Sequence, residues 1–292
     1  MDDLANLRDS RGLRAMKKIL PILTAAAMGA FALPASATDF IGKSNIDFFY
    51  AELEGGYAVF SGAPLNEGAS PELQPPAGAY GTALLGHVSI DDGIIGGYVD
   101  RAELWFSYFD HGDDTDAGGN ISFDRNYWEV GTRFQHYYDQ NAANKMMWGF
   151  EPFYGEFSAT ANQVAPVNRG VIDQSIYGAM LSFESERMIS PSTMLLLRAA
   201  GGVYGSSADY NLTGGTTASD SDTTAGFRGQ LAIGLKRQLN ARTSVGVIGR
   251  VDYFSAVAVP DLATGNTTLR NDGLVDASIG INLNYIFAGI YE

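Results

Sequence analysis

The feature that most constrains the fold of this chain is a long alternation of apolar and polar residues over positions 274–287 (LVDASIGINLNYIF). Successive side chains of a β-strand point to opposite faces, so this segment predicts a strand with one apolar and one polar face. A half-buried strand of a soluble sandwich would show the same alternation. The length favours a different setting, because soluble strands have roughly 5–6 residues and a tilted strand needs ~9–11 to cross a bilayer.

The same alternation recurs along the chain and predicts an all-β, antiparallel, up-and-down transmembrane β-barrel of about ten strands. The pattern is clearest in 126–138, 227–239 and 245–253. It is weaker in the first, second and fifth strands, so barrels of about 8–12 strands stay open as alternatives. The predicted strands are 46–60, 79–90, 94–110, 121–138, 145–158, 171–187, 193–206, 224–239, 243–257 and 273–290.

The connections between these strands alternate in length along the chain. Short connections are predicted at 91–93, 139–144, 188–192 and 240–242, and long ones at 61–78, 111–120, 159–170, 207–223 and 258–272. Outer-membrane barrels have short periplasmic turns and longer extracellular loops, whereas a soluble sandwich has no reason for this rhythm. An even number of strands also places both termini on the periplasmic side.

The N-terminal region predicts export. Lys17 and Lys18 form a basic start, 19–33 is apolar, and Ala35-Ser36-Ala37 is a small-residue cleavage site. We therefore predict a signal peptide at 16–37 and a barrel domain at 38–292, in the outer membrane after passage through the periplasm. Residues 1–15 are polar and charged, unlike a signal peptide, and are interpreted as an extension that precedes the true start.

Composition agrees with this class. The mean hydropathy of −0.05 and the 12% of aromatic residues suit a barrel with an apolar outside and a polar inside. The net charge of −14 argues against a nucleic-acid partner. Nothing in the sequence indicates a cofactor. Apolar-facing aromatic residues gather near strand ends, as in interfacial girdles: Phe106, Tyr108, Trp128, Tyr138, Trp148, Tyr253, Tyr285 and Phe287.

The last strand carries a family resemblance. Ser278, Gly280, Leu283 and Tyr285 resemble the signal by which the barrel assembly machinery recognises the final strand of gram-negative outer-membrane barrels, although this chain ends in Tyr291-Glu292 and not in Phe or Trp. Elsewhere the chain resembles porin-like and small outer-membrane barrels in its pattern. The resemblance implies contact with the assembly machinery, outer-membrane lipid and lipopolysaccharide, and permits a homo-oligomer.

If the apolar face meets lipid, charged side chains must line the interior, because a cation at the bilayer midplane costs roughly 2–4 kcal/mol. Interlocked ion pairs would plug the lumen and give a structural barrel, whereas segregated charges would leave a narrow wet pore for small ions or solutes. The pore-lining candidates are Arg101, Glu103, Glu129, Arg133, Arg198, Arg228, Lys236, Arg250, Asp252 and Asp276, together with Glu52, Glu54, Glu151 and Glu184.

The predicted outer loops are acidic, with a cluster at Asp113, Asp114 and Asp116. The spacing of these residues is not that of an EF-hand, so solvated loops are favoured over a metal site. Negative charge at the mouth predicts a weak preference for cations in an open pore. A basic stripe of Arg133, Arg228 and Arg250 would instead favour anions.

Catalysis is not expected from the sequence. The omptin proteases are ten-stranded barrels that use Asp and His residues at the mouth, and the comparable cluster here is Asp110-His111 with Asp113 and Asp114. A second mouth carboxylate pair is not evident, and the three histidines are far apart. The leading hypothesis is a porin-like passive channel or structural barrel. The alternative is a surface adhesin or recognition protein that works through the acidic loops.

Overall fold

A computed structural model describes residues 46–65, 73, 77–89, 93–116, 118–140, 144–164, 167–214, 217–261 and 268–291. The predicted extension 1–15 and signal peptide 16–37 lie outside these residues. The described chain forms ten strands. They are β1 (Ile46–Gly62), β2 (Ala77–Ser89), β3 (Arg101–Thr115), β4 (Ile121–Gln140), β5 (Asn144–Gln163), β6 (Asn168–Ser190), β7 (Thr193–Gly214), β8 (Ala218–Gln238), β9 (Thr243–Asp261) and β10 (Thr268–Tyr291).

The ten strands close into one antiparallel barrel. Each strand pairs with its neighbours in sequence, and β1 closes the barrel by pairing with β10 from Ile46↔Tyr291 to Gly62↔Leu274. The predicted up-and-down architecture is therefore confirmed. We call the end where β1 begins and β10 ends the periplasmic end and the opposite end the extracellular end.

In the part of the chain that the structure describes, no helix is long and apolar enough to cross a membrane.

The side chains that point away from the barrel axis are apolar in the middle of the strands. Along β10, Ile279 and Leu283 are about half exposed, whereas Ser278 and Asn282 on the opposite parity are buried. This arrangement is the reverse of a water-soluble sheet, because the exposed surface is the apolar one. It fits a barrel wall immersed in lipid.

Outward aromatic residues form two rings that bound this apolar surface. The lower aromatic ring lies near the periplasmic end and contains Phe49, Tyr138, Trp148, Phe183 and Phe287. The upper aromatic ring contains Tyr108, Trp128, Tyr154, Tyr177, Phe227 and Tyr253. Rings of this kind lie at the headgroup level of a membrane. The two rings therefore define which part of each strand is in lipid.

Above the upper aromatic ring the strands continue further than the sequence indicated. β5 and β6 extend to Gln163 and from Asn168, and β7 and β8 extend to Gly214 and from Ala218. The predicted loops 159–170 and 207–223 are therefore mostly strand, and that prediction was wrong. Their polar outward side chains are suited to water, so polar composition concealed strands that project above the membrane.

The connection from β2 to β3 also differs from the prediction. A short turn was predicted at 91–93 and a strand from residue 94, but 93–97 is a turn and β3 begins at Arg101. Residues of this connection are tied to the periplasmic rim, since Ser89 N donates to Asp100 O (2.8 Å) and Asp100 N donates to Gln135 O (2.9 Å). Glycines at positive φ, Gly93, Gly96 and Gly97, permit the turn.

At the extracellular end one hairpin leaves the wall and enters the barrel mouth. β8 pairs with β9 only from Gln238↔Ser244 to Arg228↔Phe254, while β9 and β10 stay paired up to Asp261↔Thr268. We call 255–261 of β9 with 268–273 of β10 the inturned hairpin. Its residues 256–260 are all buried, on both parities of the strand. The hairpin therefore lies inside the mouth and covers the lumen.

Candidate functional site

The interior of the barrel is the candidate functional site, and the structure places all of the predicted inward charges there. Each of them points toward the axis and is buried or nearly so. What the sequence left open was which charges meet. The contacts divide all of them except Asp276 into three groups: a lower lattice, an upper cluster, and two pairs near β1.

The lower lattice joins β3, β4, β5, β6 and β7 across the lumen. Arg101 donates to Glu103 (2.7 Å) and to Glu184 (3.1 Å), and Arg133 donates to Glu103 (2.6 Å) and to Glu151 (3.0 Å). Arg198 also donates to Glu151. Each of these arginines therefore bonds carboxylates of the lattice. Such geometry is what a buried ion pair needs to offset the cost of leaving water.

The upper cluster is centred on Arg228, which is 2% exposed. Its two terminal nitrogens donate to Glu129 at 2.6 and 3.1 Å, and one also donates to Asp252 at 3.0 Å. The guanidinium lies 4.9 Å from the ring centre of Phe153 and 4.7 Å from that of Phe254. A desolvated cation gains from aromatic faces as well as from carboxylates. Arg228 is thus fixed in the centre of the barrel.

Two further pairs connect β1 to β8 and β9. Lys236 donates to Glu52 at 2.7 Å, and Arg250 lies 3.2 Å from Glu54. Tyr80 also donates to Glu54, at 2.8 Å. Together with the lower lattice and the upper cluster, these contacts interlock the charges of the lumen. The predicted basic stripe of Arg133, Arg228 and Arg250 is not formed, because each arginine is bound to different carboxylates.

One inward carboxylate stands apart. Asp276 is 5% exposed and lies directly opposite Asp252 in the β9–β10 ladder. Its Oδ1 has no hydrogen-bond partner among the described residues. Between the charged groups a cavity of about 80 Å³ remains, lined by residues that include Arg198, Arg228 and Gln230. A polar space of this size is suited to a few water molecules and not to an organic solute.

Above the charged groups lies a layer of inward aromatic residues that sequence reasoning did not identify. Tyr127 and Phe157 stack with ring centres 4.2 Å apart, and Phe254 meets Phe157 edge-on at 5.3 Å. Phe109 and Tyr204 join the same layer. A signal was available, because Tyr127 and Phe157 share strand parity with Glu129 and Glu151. From the sequence, a face is assigned only to the aromatic residues of the expected girdles, and these point outward.

The mouth above this layer is filled by chain segments. Leu65 and Leu73, from the connection between β1 and β2, are fully buried and bridge each other. They pack with Phe123, Ile172 and Tyr210 and with Ala258 of the inturned hairpin. Arg125 donates to Ala63 O, and Arg270 donates to Pro64 O at 2.9 Å. The lumen is therefore covered from the extracellular side.

The predicted loop cluster of Asp113, Asp114 and Asp116 is not a cluster in a loop. Asp113 and Asp114 belong to β3 and differ in exposure, and Asp113 is opposite Asp124 of β4. Asp116 closes the following turn, where its Oδ1 accepts from Asn120 N (2.6 Å) and Ile121 N (2.9 Å). The prediction of a loop that begins at residue 111 was wrong, because β3 continues past a bulge between Asp110 and Asp113 and ends at Thr115.

The histidines do not assemble with these acids. His111 is 2% exposed and lies against the Phe60 ring (3.7 Å between ring centres), whereas Asp110 and Asp113 are on the exposed side of the strand. His87 pairs with Asp47 (2.7 Å) and His136 with Asp100 (2.8 Å), near the periplasmic rim. In the described part of the chain, no three His, Asp or Glu residues are grouped so as to hold a metal ion.

The residues of the predicted assembly signal lie on both faces of β10. Ser278 and Gly280 point inward, and Leu283 and Tyr285 point outward, each a little under half exposed. Gly280 is opposite Gly56 of β1, and the Tyr80 ring lies against this pair. These positions therefore also have a packing role in the closure of the barrel. Recognition by the assembly machinery stays a prediction.

The closed ten-stranded wall, its apolar belt between two aromatic rings and its polar interior define a transmembrane barrel of the gram-negative outer-membrane class. Among solved structures, the chain is similar to the outer membrane protease OmpT from Escherichia coli, with a TM-score of 0.55 and 8% identity over 86% of this chain and 100% of that one. It also matches the translocator domain of the autotransporter NalP from Neisseria meningitidis, with a TM-score of 0.46 and 12% identity over 98% of each chain. At such identities the likeness concerns the fold alone.

No protein-family model matches the chain. No curated protein matches it either.

Proposed function

We propose that the protein is a structural barrel of the outer membrane whose lumen is closed to solute flow at rest. The observation that carries this proposal is the filling of the lumen, in which a cavity of about 80 Å³ remains between the charged groups. Interlocked ion pairs occupy its lower and middle parts, the aromatic layer lies above them, and the inturned hairpin covers the mouth. A barrel of this size is filled by its own side chains, in contrast to the wide channel of larger porins. The assembly machinery, lipid and lipopolysaccharide remain the proposed partners.

Planar-bilayer recording tests the proposal. Wild-type protein reconstituted at 0.1 M and 1 M KCl should give no regular conductance steps, while an open porin reconstituted in the same way provides the positive control. Regular steps of one amplitude from the wild-type protein would refute the closed state and favour a passive channel. In that case we expect a weak cation preference that is stronger in dilute salt, since acidic groups outnumber basic ones in this chain.

A second candidate function is recognition at the cell surface, through the wall above the upper aromatic ring. Here most outward side chains of β5–β8 are short and polar, with Asp173 opposite Asp209 and Asp209 opposite Ser221. Rigid strands hold these groups in fixed positions, which favours specific contacts over those of a mobile loop. Deleting residues 207–223 would not test recognition alone, because this range includes parts of β7 and β8 that belong to the barrel wall.

Charge reversal at the surface is a better test of recognition. Asp173→Arg with Asp209→Arg should abolish binding to host cells or matrix if this wall is the recognition surface, while the barrel stays heat-modifiable on gels. The matched control is Asp113→Arg, an equally exposed acid on β3 at another side of the barrel. Equal binding by all three proteins would contradict recognition through β6 and β7.

We propose no catalytic role. The support is that His111 is buried whereas Asp110 and Asp113 are on the exposed side of β3, so these three described residues do not form an acid–base pair.

A further inference from the structure

The inturned hairpin leaves one strand of the wall without its neighbour. β8 pairs with β7 along its whole length, up to Leu212↔Ala218, but the described residues give it no ladder with β9 above Arg228↔Phe254. Residues 218–227 of β8 therefore have a free edge on the side of β9. The N–H and C=O groups of an edge strand are a template for a further strand.

The β9 segment in the mouth matches this free edge in length and register. Extending the ladder beyond Arg228↔Phe254 by equal steps on both strands places Gly226 opposite Ala256 and Thr224 opposite Ala258. The first contact of such an extension is already present, because Phe227 N donates to Ser255 Oγ at 2.7 Å. The segment is followed by Asp261, so it is long enough to cover most of the free edge.

Side chains of β6 and β7 hold the hairpin inside the mouth, because they form the hydrogen bonds with its backbone that a neighbouring strand would otherwise form. Gln174 donates to Ala256 O (3.1 Å) and accepts from Ala258 N (2.9 Å). Tyr204 donates to Ala256 O and accepts from Ala256 N, both at 3.0 Å. These bonds satisfy backbone groups that would otherwise be buried without partners. They also occupy groups that β8 would satisfy if β9 lay in the wall.

Apolar burial and backbone pairing therefore favour different positions of the hairpin. Inside the mouth, Val257 and Val259 are fully buried against the aromatic layer. In the wall these two side chains would point outward above the upper aromatic ring, into water, but the free edge of β8 would gain a full set of backbone hydrogen bonds. Moving the hairpin from the mouth to the wall thus loses apolar burial and gains backbone hydrogen bonds. Such opposed contributions are the condition for an element with two conformations.

We propose that the inturned hairpin is a lid that exchanges between the barrel mouth and the free edge of β8, and that this exchange opens the part of the extracellular mouth that the hairpin occupies. The movement bends the chain where the hairpin joins the wall, next to Phe254 and at the bulge between Asp272 and Leu274. It also breaks the hydrogen bonds from Leu269 N to Asp220 and from Asn271 to Asp222 of β8. The closed barrel proposed above is then the resting state of a protein with a second, open-mouthed state.

Disulfide trapping tests whether the lid reaches β8, and the absence of cysteine from the chain makes the test clean. In the structure Ala258 lies beside Gln174, and its ladder partner Asn271 bonds Asp222, so β10 separates Ala258 from β8. Thr224→Cys with Ala258→Cys should nevertheless form an intramolecular disulfide under mild oxidation, because the wall position places the two residues opposite each other.

Two matched pairs control this experiment. Leu235→Cys with Val247→Cys joins partners of the existing ladder and should cross-link readily. Thr224→Cys with Val257→Cys joins residues on opposite faces in the wall position and should cross-link at least about ten-fold less than the test pair. If the test pair forms no more disulfide than the opposite-face pair while the ladder pair cross-links, the lid does not reach β8 and the proposal is wrong.

Thiol labelling tests whether the mouth opens. Ala208 faces the lumen, is 2% exposed and belongs to the same apolar cluster as Ala258 of the lid, whereas the adjacent Ser207 faces outward and is exposed. An impermeant maleimide should modify Ala208→Cys slowly on intact cells, and adding Gln174→Ala should accelerate the reaction about ten-fold, because the closed position loses two hydrogen bonds. Ser207→Cys should react fast in both backgrounds.

An unchanged labelling rate of Ala208→Cys in the Gln174→Ala background would overturn the opening of the mouth, even if the disulfide forms. Heat-modifiable migration verifies that each variant has a folded barrel. If Gln174→Ala does not fold, Tyr204→Phe provides the second variant, since it removes the hydroxyl bonds to Ala256 and retains the ring. The same acceleration is expected from it.

Discussion

At the scale of single residues, the barrel depends on buried carboxylates that each serve more than one cation. Glu151 is fully buried and binds both Arg133 and Arg198. A buried pair adds little net stability compared with apolar packing, but removing one partner leaves the other charge uncompensated. The residues that fill the lumen are thus mutually dependent, and single substitutions should be costly.

Glu151→Gln should therefore lower the free energy of unfolding by about 3–5 kcal/mol, because Arg133 and Arg198 both lose the charge of the carboxylate that they share. The control is Asp173→Asn, an exposed acid on β6, for which a change within about 1 kcal/mol is expected. Denaturant unfolding in detergent, followed by the loss of heat-modifiable migration, measures both. Equal midpoints for the two variants would contradict the role given to the lattice.

At the scale of strands, inward aromatic rings pack on inward glycines of neighbouring strands. A Cβ on Gly280 would overlap the hydroxyl of Tyr80, and a Cβ on Gly56 would overlap the backbone of β10. The Tyr80 ring can therefore reach Glu54 only because its neighbours have no side chain. This packing couples β1, β2 and β10, where the barrel closes.

Gly280→Ala separates the two roles of this position. If Gly280 serves packing, the substitution should cost roughly 1–3 kcal/mol of stability, as overpacking does. Tyr80→Ala in the same chain should then restore part of the assembly, since the contact of the new Cβ with Gly55 O at 2.9 Å remains. If the assembly machinery reads the glycine itself, the second substitution should restore nothing. The measurement is the amount of folded, heat-modifiable barrel in outer membranes, with Tyr80→Ala alone as the control.

At the scale of the whole molecule, the two aromatic rings divide the wall into a part in lipid and a part above it. Leu231 of β8 lies between the rings and is 63% exposed, whereas Ser207 of β7 lies above the upper ring. The strands that project beyond lipid are the ones that hold the lid. The membrane thus supports the lower barrel, and side-chain packing supports the mouth.

Substitution of each of these two residues by arginine should show which part of the wall is in lipid. Leu231→Arg should destabilise the barrel by roughly 2–4 kcal/mol, the cost of a cation near the midplane, and Ser207→Arg by about 0–1 kcal/mol. Unfolding from lipid vesicles measures both. Similar costs at the two sites, or a wild-type protein that stays monomeric in water without detergent, would contradict this placement in the membrane.

The sequence by itself determined an antiparallel barrel of about ten strands and the face on which each charge lies, because alternation along a strand is a local property with a period of two. The exact number of strands was decided by the structure. The sequence did not determine the pairing of Glu151 with Arg133 and Arg198, since partners across the lumen depend on how all ten strands close. The end of β9, Ala256 to Pro260, alternates small and branched side chains that fit either the wall or the mouth. Only the tertiary structure decided that position, because the apolar surface of the aromatic layer and the side chains of Gln174 and Tyr204 exist only once the barrel has formed.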